Sequence, residues 1–240
     1  MHIVPATAMV LACSASAVHG QIVPTAWARN SAGYVYADDY GWGPGSDSDQ
    51  FSESTSALGL WTTSSTASCA FGLITNSAMI EQVSTINATQ LTTSGVLHNV
   101  HSAMASSGET DTRASYFYDV VFTLAGPTPA TIAFSATETF SNWASTDYAE
   151  CTMWFSGPGI DEYAGFWPGP GLSPTYSFSG VLPPGSYRMV VSAIHQAASD
   201  NERTALDWKY AWSMEMNVVP GPGVCAVGMV VLGGFARRRR

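Results

Sequence analysis

Asp207-Trp208-Lys209-Tyr210-Ala211-Trp212-Ser213-Met214-Glu215-Met216-Asn217-Val218 alternates in residue type without interruption. Trp208, Tyr210, Trp212, Met214, Met216 and Val218 fall on one side of an extended chain, and Asp207, Lys209, Ala211, Ser213, Glu215 and Asn217 on the other. A period of two over this length is a β-strand with one buried and one wet face, because successive side chains leave a pleated backbone in opposite directions. One-sided burial is the signature of an antiparallel sheet.

The same period recurs upstream. In Ser115–Leu124, the residues Tyr118, Val120, Phe122 and Leu124 share a face, with Asp119 and Thr123 opposite. Gly126-Pro127-Thr128-Pro129 turns the chain, and Ile132, Phe134 and Ala136 resume the alternation, with Phe140 as its extension. Glu150 to Ser156 is a more continuous apolar run closed by Gly157-Pro158-Gly159. Tyr176, Phe178, Gly180 and Leu182 face one way before Pro183-Pro184-Gly185, where Pro184 and Gly185 fit the central positions of a type II turn. Tyr187, Met189, Val191 and Ala193 follow on one face, so the pattern predicts a hairpin over 175–195.

The first half is less periodic. Tyr34 and Tyr36 alternate ahead of the loop Gly41-Trp42-Gly43-Pro44-Gly45-Ser46. Phe51 to Thr63 reads as one strand with Leu58 and Leu60 on a face. Ala78 to Ile86 has a helical alternative, but long strands through Gln90 and from Leu91 to Ala105 fit the Ser/Thr-rich composition better. Many strands punctuated by Gly and Pro predict an all-β fold: an antiparallel β-sandwich, jelly-roll-like, with an immunoglobulin-type sandwich as the alternative.

Both ends of the chain differ from this body. Residues 219–240 hold Pro220-Gly221-Pro222-Gly223, an apolar run from Val224 to Ala236, and Arg237-Arg238-Arg239-Arg240. The run is shorter than the roughly 20 residues that span a bilayer as a helix, and Arg clusters resist translocation. This order resembles the PEP-CTERM class of bacterial sorting signals, with Gly221 where that class has Glu. The resemblance covers about the last 22 residues. It implies a C-terminal apolar helix, transient insertion in the inner membrane, and recognition by an exosortase-type processing enzyme at the surface of a bacterium that makes extracellular polysaccharide. Residues 1–20, with an apolar run over Ile3–Ala12 and small residues at Ala15-Ser16-Ala17, read as an export signal. The body is then a single domain over 21–218.

Of the four cysteines, Cys13 and Cys225 lie in the two end segments. Cys69 and Cys151 remain, as one disulfide in an oxidising compartment or as two separately buried thiols. All eighteen acidic residues lie in the body, against Arg29, Arg113, Arg188, Arg203 and Lys209. Such a surface excludes nucleic acid as a partner, since binding its phosphates requires Lys and Arg.

Asp47, Asp49, Gln50 and Glu53 gather oxygens suited to a hard cation, but without the order of a calcium-binding loop, so a solvated acidic loop is the expectation. His98 and His101 are three apart, which places them on opposite faces of a strand and argues against a shared metal. Asn87-Ala88-Thr89 matches a glycosylation sequon, here read as chance. Glu138, Glu150, Asp161 and Glu162 are of the right type for glycoside cleavage, with nothing in their spacing to fix a pair. No nucleophile, zinc or phosphate-loop motif occurs, so neither enzyme activity nor a cofactor or metal is expected. Among the eight tryptophans, Trp42 and Trp167 sit in Gly/Pro-rich loops and could stack on sugars, whereas Trp208 and Trp212 belong to the core. The expected protein is an exported, non-catalytic structural or adhesive β-sandwich of the cell surface or extracellular matrix. The alternatives are a module binding extracellular polysaccharide and, third, a polysaccharide hydrolase.

Overall fold

The computed structural model describes residues 20–40, 44–103, 108–140, 148–166, 173–200 and 204–219. Within them the chain is all β: β1 (Val23–Asp38), β2 (Asp47–Thr55), β3 (Gly59–Phe71), β4 (Ile74–Ile86), β5 (Gln90–Ala103), β6 (Glu109–Leu124), β7 (Thr128–Phe140), β8 (Tyr148–Gly157), β9 (Ile160–Phe166), β10 (Thr175–Leu182), β11 (Gly185–Asp200) and β12 (Thr204–Val218). Two six-stranded antiparallel sheets stack as a sandwich, ordered β2-β1-β6-β11-β8-β9 in the first sheet and β10-β7-β12-β5-β4-β3 in the second. The expected C-terminal helix falls outside the described residues.

The alternation read from sequence becomes the core. Tyr116, Tyr118, Val120, Phe122 and Leu124 of β6, Tyr187, Met189, Val191 and Ala193 of β11, and Trp208, Tyr210, Trp212, Met214, Met216 and Val218 of β12 point between the sheets and are buried. Each large apolar side chain so buried contributes on the order of 2–3 kcal/mol. Aromatic rings interlock: Tyr116 of β6 stacks across the gap on Trp212 of β12 at 4.9 Å between centroids, and within the first sheet Tyr187 lies between Phe122 and Phe155 at 5.5 and 5.7 Å.

Two sequence expectations fail here. Phe51 to Thr63 is not one strand; the chain leaves the first sheet after β2 and enters the second at β3, and Leu58 in the crossover and Leu60 at the start of β3 are exposed. The predicted hairpin over 175–195 is likewise two strands in different sheets. β10 pairs with β7, while β11 pairs with β6 and β8. Pro183, Pro184 and Gly185 reverse the chain as their turn chemistry requires, but a reversal can cross the sandwich as well as extend a sheet.

Where Gly-driven geometry is needed, the sequence supplies it. Gly72 opens the two-residue β3–β4 turn at φ 61°, a conformation costly for any side chain, and a Cβ there would meet the Asp39 carboxylate at 2.3 Å. Gly33 leaves the space that the Phe51 ring fills; a Cβ would sit 2.3 Å from Phe51 Cε1.

Candidate functional site

The outer face of the first sheet carries the most organised surface cluster. Trp154 of β8 lies opposite Val190 of β11 and Tyr163 of β9, and Val190 lies opposite Asp119 of β6. Asp119, Val190, Trp154 and Tyr163 therefore form one row across four strands. Arg188 joins Asp119 through two hydrogen bonds, Nε to Oδ1 at 3.0 Å and Nη2 to Oδ2 at 2.7 Å. The same guanidinium lies 5.7 Å from the centre of the Trp154 ring. Trp154 Nε1 donates to Asp161 Oδ1 at 2.7 Å. The indole is thus held in place, yet Trp154 is 38% exposed and Tyr163 52%. A fixed, half-exposed aromatic beside polar groups can stack on a sugar ring or on another aromatic.

A second cluster closes one side of the sandwich. Asp47, Asp49, Phe51 and Glu53 alternate along β2 and face β3, the edge strand of the second sheet. Asp49 Oδ2 accepts from the Ser68 amide at 3.0 Å, Asp47 Oδ2 from the Ala70 amide at 2.9 Å, and Asp39 Oδ2 from the Leu73 amide at 3.0 Å. Glu53 accepts from the hydroxyls of Thr63 and Ser65. These bonds, Ser65 first and then Thr63, hold the Glu53 carboxyl below its ordinary pKa. The acidic run is therefore a strand rather than a loop; its exposed carboxylates supply acceptors to amides that β3 would otherwise leave unpaired. An open groove of about 440 Å³ runs past it across β3, β4 and β5, lined by Asp47, Ser68, Thr75, Ser77 and Val100 among others. Among the described residues no group of three His, Cys, Asp or Glu converges as a metal site.

The third cluster is interior. His101 Nδ1 bonds Asn76 Oδ1 at 2.8 Å, its Nε2 lies 3.5 Å from Thr110 Oγ1, and Asn76 Nδ2 donates to the Tyr36 carbonyl. His195 Nδ1 accepts from Asn99 Nδ2 at 2.5 Å, which places the proton of the neutral ring on Nε2. The ring centre lies 4.7 Å from that of Trp208 and 6.0 Å from that of Tyr210. Tyr210 Oη donates to Glu138 Oε1 at 2.9 Å. Burial lowers the pKa of His101 to about 4 and of His195 to about 3. His101, His195, Glu138 and Tyr210 lie inside the core, while Asn76 also reaches the lining of the groove.

The structure sorts the residues singled out from sequence. Cys69 and Cys151 are free, buried thiols, which decides against the disulfide. Cys69 lies on β3 at one edge of the second sheet, Cys151 on β8 toward the other end of the first. Burial raises the two thiols to about 11 and about 12, leaving them un-ionised. Glu138 is buried between the sheets, whereas Glu150, Asp161 and Glu162 lie on the β8–β9 pair. Glu150 accepts from Tyr148 at 2.5 Å and from Thr152 at 3.1 Å. His98 and His101 take opposite faces of β5; His98 Nε2 meets Asp207 Oδ1 at 2.6 Å. Asn87 uses its side-chain oxygen to cap the amides of Thr89 and Gln90 in the β4–β5 turn. Trp42, Trp167, Pro220, Gly221, Pro222, Gly223 and Arg237, Arg238, Arg239 and Arg240 lie outside the described residues.

Sequence reasoning missed Trp154 and Tyr163. Trp154 sits in a run of apolar residues, and only the pairing of β8 with β9 shows that it shares an outer face with Tyr163.

No family model matches the chain, and no curated protein matches it in sequence. Among solved structures, the enzymatically active domain of bacteriophage CBA120 tailspike protein 4 aligns at 15% identity and TM-score 0.20, over 58% of this chain and 19% of that one. The VP2 subviral particle of infectious bursal disease virus aligns at 9% identity and TM-score 0.16, over 86% of this chain and 67% of that one. The Gx strain of the same virus gives 9% identity and TM-score 0.15, over 87% and 68%. The chain thus spans about a fifth of the tailspike domain. Likenesses this distant carry no argument about fold or function.

Proposed function

We propose that this chain is the precursor of an exported, non-catalytic structural or adhesive protein of the bacterial surface or extracellular matrix. Its body is read as a jelly roll: β5-β12-β7-β10 and β6-β11-β8-β9 have the nested order of an eight-stranded jelly roll, and β1 to β4 extend both sheets on one side. The observation that supports the non-catalytic reading is how the carboxylates are used. Those of β2 seal a sheet edge, those of Asp111 and Asp119 hold arginines, and Glu138 is tied to Tyr210 in the core. The acids go into holding the fold together.

Export and sorting rest on the two end segments, with Pro220 to Gly223 as the processing motif and the Arg cluster as the stop. Intact mass of the protein from its native cells, with the C-terminal peptide identified, tests this. A C-terminus between Val219 and Gly223 is expected; an intact Arg240 on every molecule would overturn the sorting reading.

A second reading, a module for extracellular polysaccharide, is favoured by the Trp154–Tyr163 pair. If it holds, Trp154→Ala weakens binding in a glycan screen at least about tenfold while the far-UV circular dichroism is unchanged. Equal binding by this variant would return attention to Trp42 and Trp167.

A further inference from the structure

A sandwich of two open sheets has four edges, here β2, β3, β9 and β10. An unguarded edge is a template for another strand, and proteins blunt edges with charge, proline or bulges. Three of the four are guarded. β3 has its amides capped by the β2 carboxylates. β2 itself carries Asp47, Asp49 and Glu53, and β9 carries Asp161 and Glu162. β10 reads Thr175-Tyr176-Ser177-Phe178-Ser179-Gly180-Val181-Leu182, with no charge and no proline, and its register with β7 is continuous.

The ladder shows which groups β10 presents. Ala136 N–H donates to Pro174 O at 3.1 Å, so Pro174 turns its carbonyl toward β7. Hydrogen-bonded and non-bonded pairs alternate in an antiparallel ladder. The even-numbered residues of β10 therefore bond to β7, and Thr175, Ser177, Ser179 and Val181 turn their N–H and C=O groups outward. The register agrees, since Val181 lies opposite Pro129, which has no N–H to give.

We propose that β10 is a self-association edge, and that a second copy of this chain pairs with it antiparallel, joining two six-stranded sheets into one. A two-fold axis through Phe178 sets Ser177 opposite the partner's Ser179 and Thr175 opposite the partner's Val181. In that register every outward N–H of β10 meets an outward carbonyl, and Tyr176 lies across from the partner's Gly180. The strand is complementary to itself, which is what a closed two-fold contact requires. The contact also brings the two copies of β9 near one another with Asp161 and Glu162, so salt, which screens their repulsion, strengthens it. This deepens the structural role proposed above and rests on it for its purpose only. A monomer found at the cell surface would refute the contact and spare the role; a dimer never exported would do the reverse.

Sedimentation velocity of the full chain across roughly 1–100 μM, at low and high salt, tests the proposal. A monomer–dimer equilibrium that tightens with salt is expected. Ser179→Pro removes an outward N–H without touching the ladder to β7, a place where an edge strand tolerates proline. It should keep the native circular dichroism and weaken the dimer at least about tenfold. Should it not fold, Ser177→Lys, which sets like charges diagonally across the axis, is expected to weaken the dimer to the same degree. A wild-type chain monomeric throughout, or a folded variant dimerising as wild type does, would overturn the proposal.

Discussion

Acidification from pH 7 to pH 4.5 is expected to cost this fold about 5 kcal/mol, enough to unfold a typical domain. The loss comes from His101 and His195. Both are buried as neutral rings, His101 between Asn76 and Thr110, and His195 against Asn99, Trp208 and Tyr210, with the Glu138 carboxyl beyond the Tyr210 hydroxyl. Unfolded, each takes up a proton near its ordinary pKa of 6.5; folded, burial holds them at about 4 and about 3. Their folded values are depressed, so the unfolded state binds more protons below pH 6.5. Stability is complete above that pH and falls as pH drops, by about 1.4 kcal/mol per unit per histidine until the folded values are reached. Denaturant unfolding at pH 7.5, 6.5, 5.5 and 4.5 measures it. The double variant His101→Gln/His195→Gln, less stable at pH 7.5, should lose most of the slope. A wild-type change under about 1 kcal/mol would mean that the rings are not buried neutral.

Replacing Arg29 by Ala is expected to destabilise the protein by about 3–5 kcal/mol at neutral pH. Arg29 is fully buried on β1, and its guanidinium reaches across the sandwich to the carbonyls of Ala57, Gly59 at 3.0 Å and Ser84 at 3.4 Å, and to the Ser84 hydroxyl at 3.3 Å. It also lies 5.6 Å from the centre of the Trp61 ring. Burial lowers its pKa, but a guanidinium starts so high that it stays charged. One side chain thus gathers the carbonyls of the β2–β3 crossover and ties them to β4. Truncation removes the donors, leaves the acceptors short of partners and opens a cavity. Arg29→Lys keeps the charge but cannot fork to three carbonyls, so it should fall between Ala and wild type. Denaturation midpoints of the three proteins check this; a cost for Arg29→Ala below about 1 kcal/mol would show that the clamp is not holding the crossover.

The chain itself made the second half legible. Alternation in β6, β10, β11 and β12 predicted both strand type and buried face, because the period of two is local to an extended backbone. The first half hid its inner face. Thr63 and Ser65 of β3, Asn76, Gln82 and Ser84 of β4, and Thr93 and Asn99 of β5 are all buried. By residue type they read as a wet face; only the folded chain brings Thr63 and Ser65 to Glu53, Ser84 to Arg29, Thr93 to Tyr116, Asn76 to His101 and Asn99 to His195. The candidate site was hidden for a related reason: Trp154 and Tyr163 become neighbours only through strand pairing.

Composition, periodicity and turn chemistry determined that this is an all-β protein of antiparallel strands with an acidic, lysine-poor body. Tertiary structure alone decided which sheet each strand joins, that Cys69 and Cys151 stay apart, and that the exposed acids of β2 cap amides of β3. The physical reason is that backbone amides and carbonyls are the same at every position. A strand's own residues specify its two faces, but its neighbour is chosen by the packing of the whole sandwich.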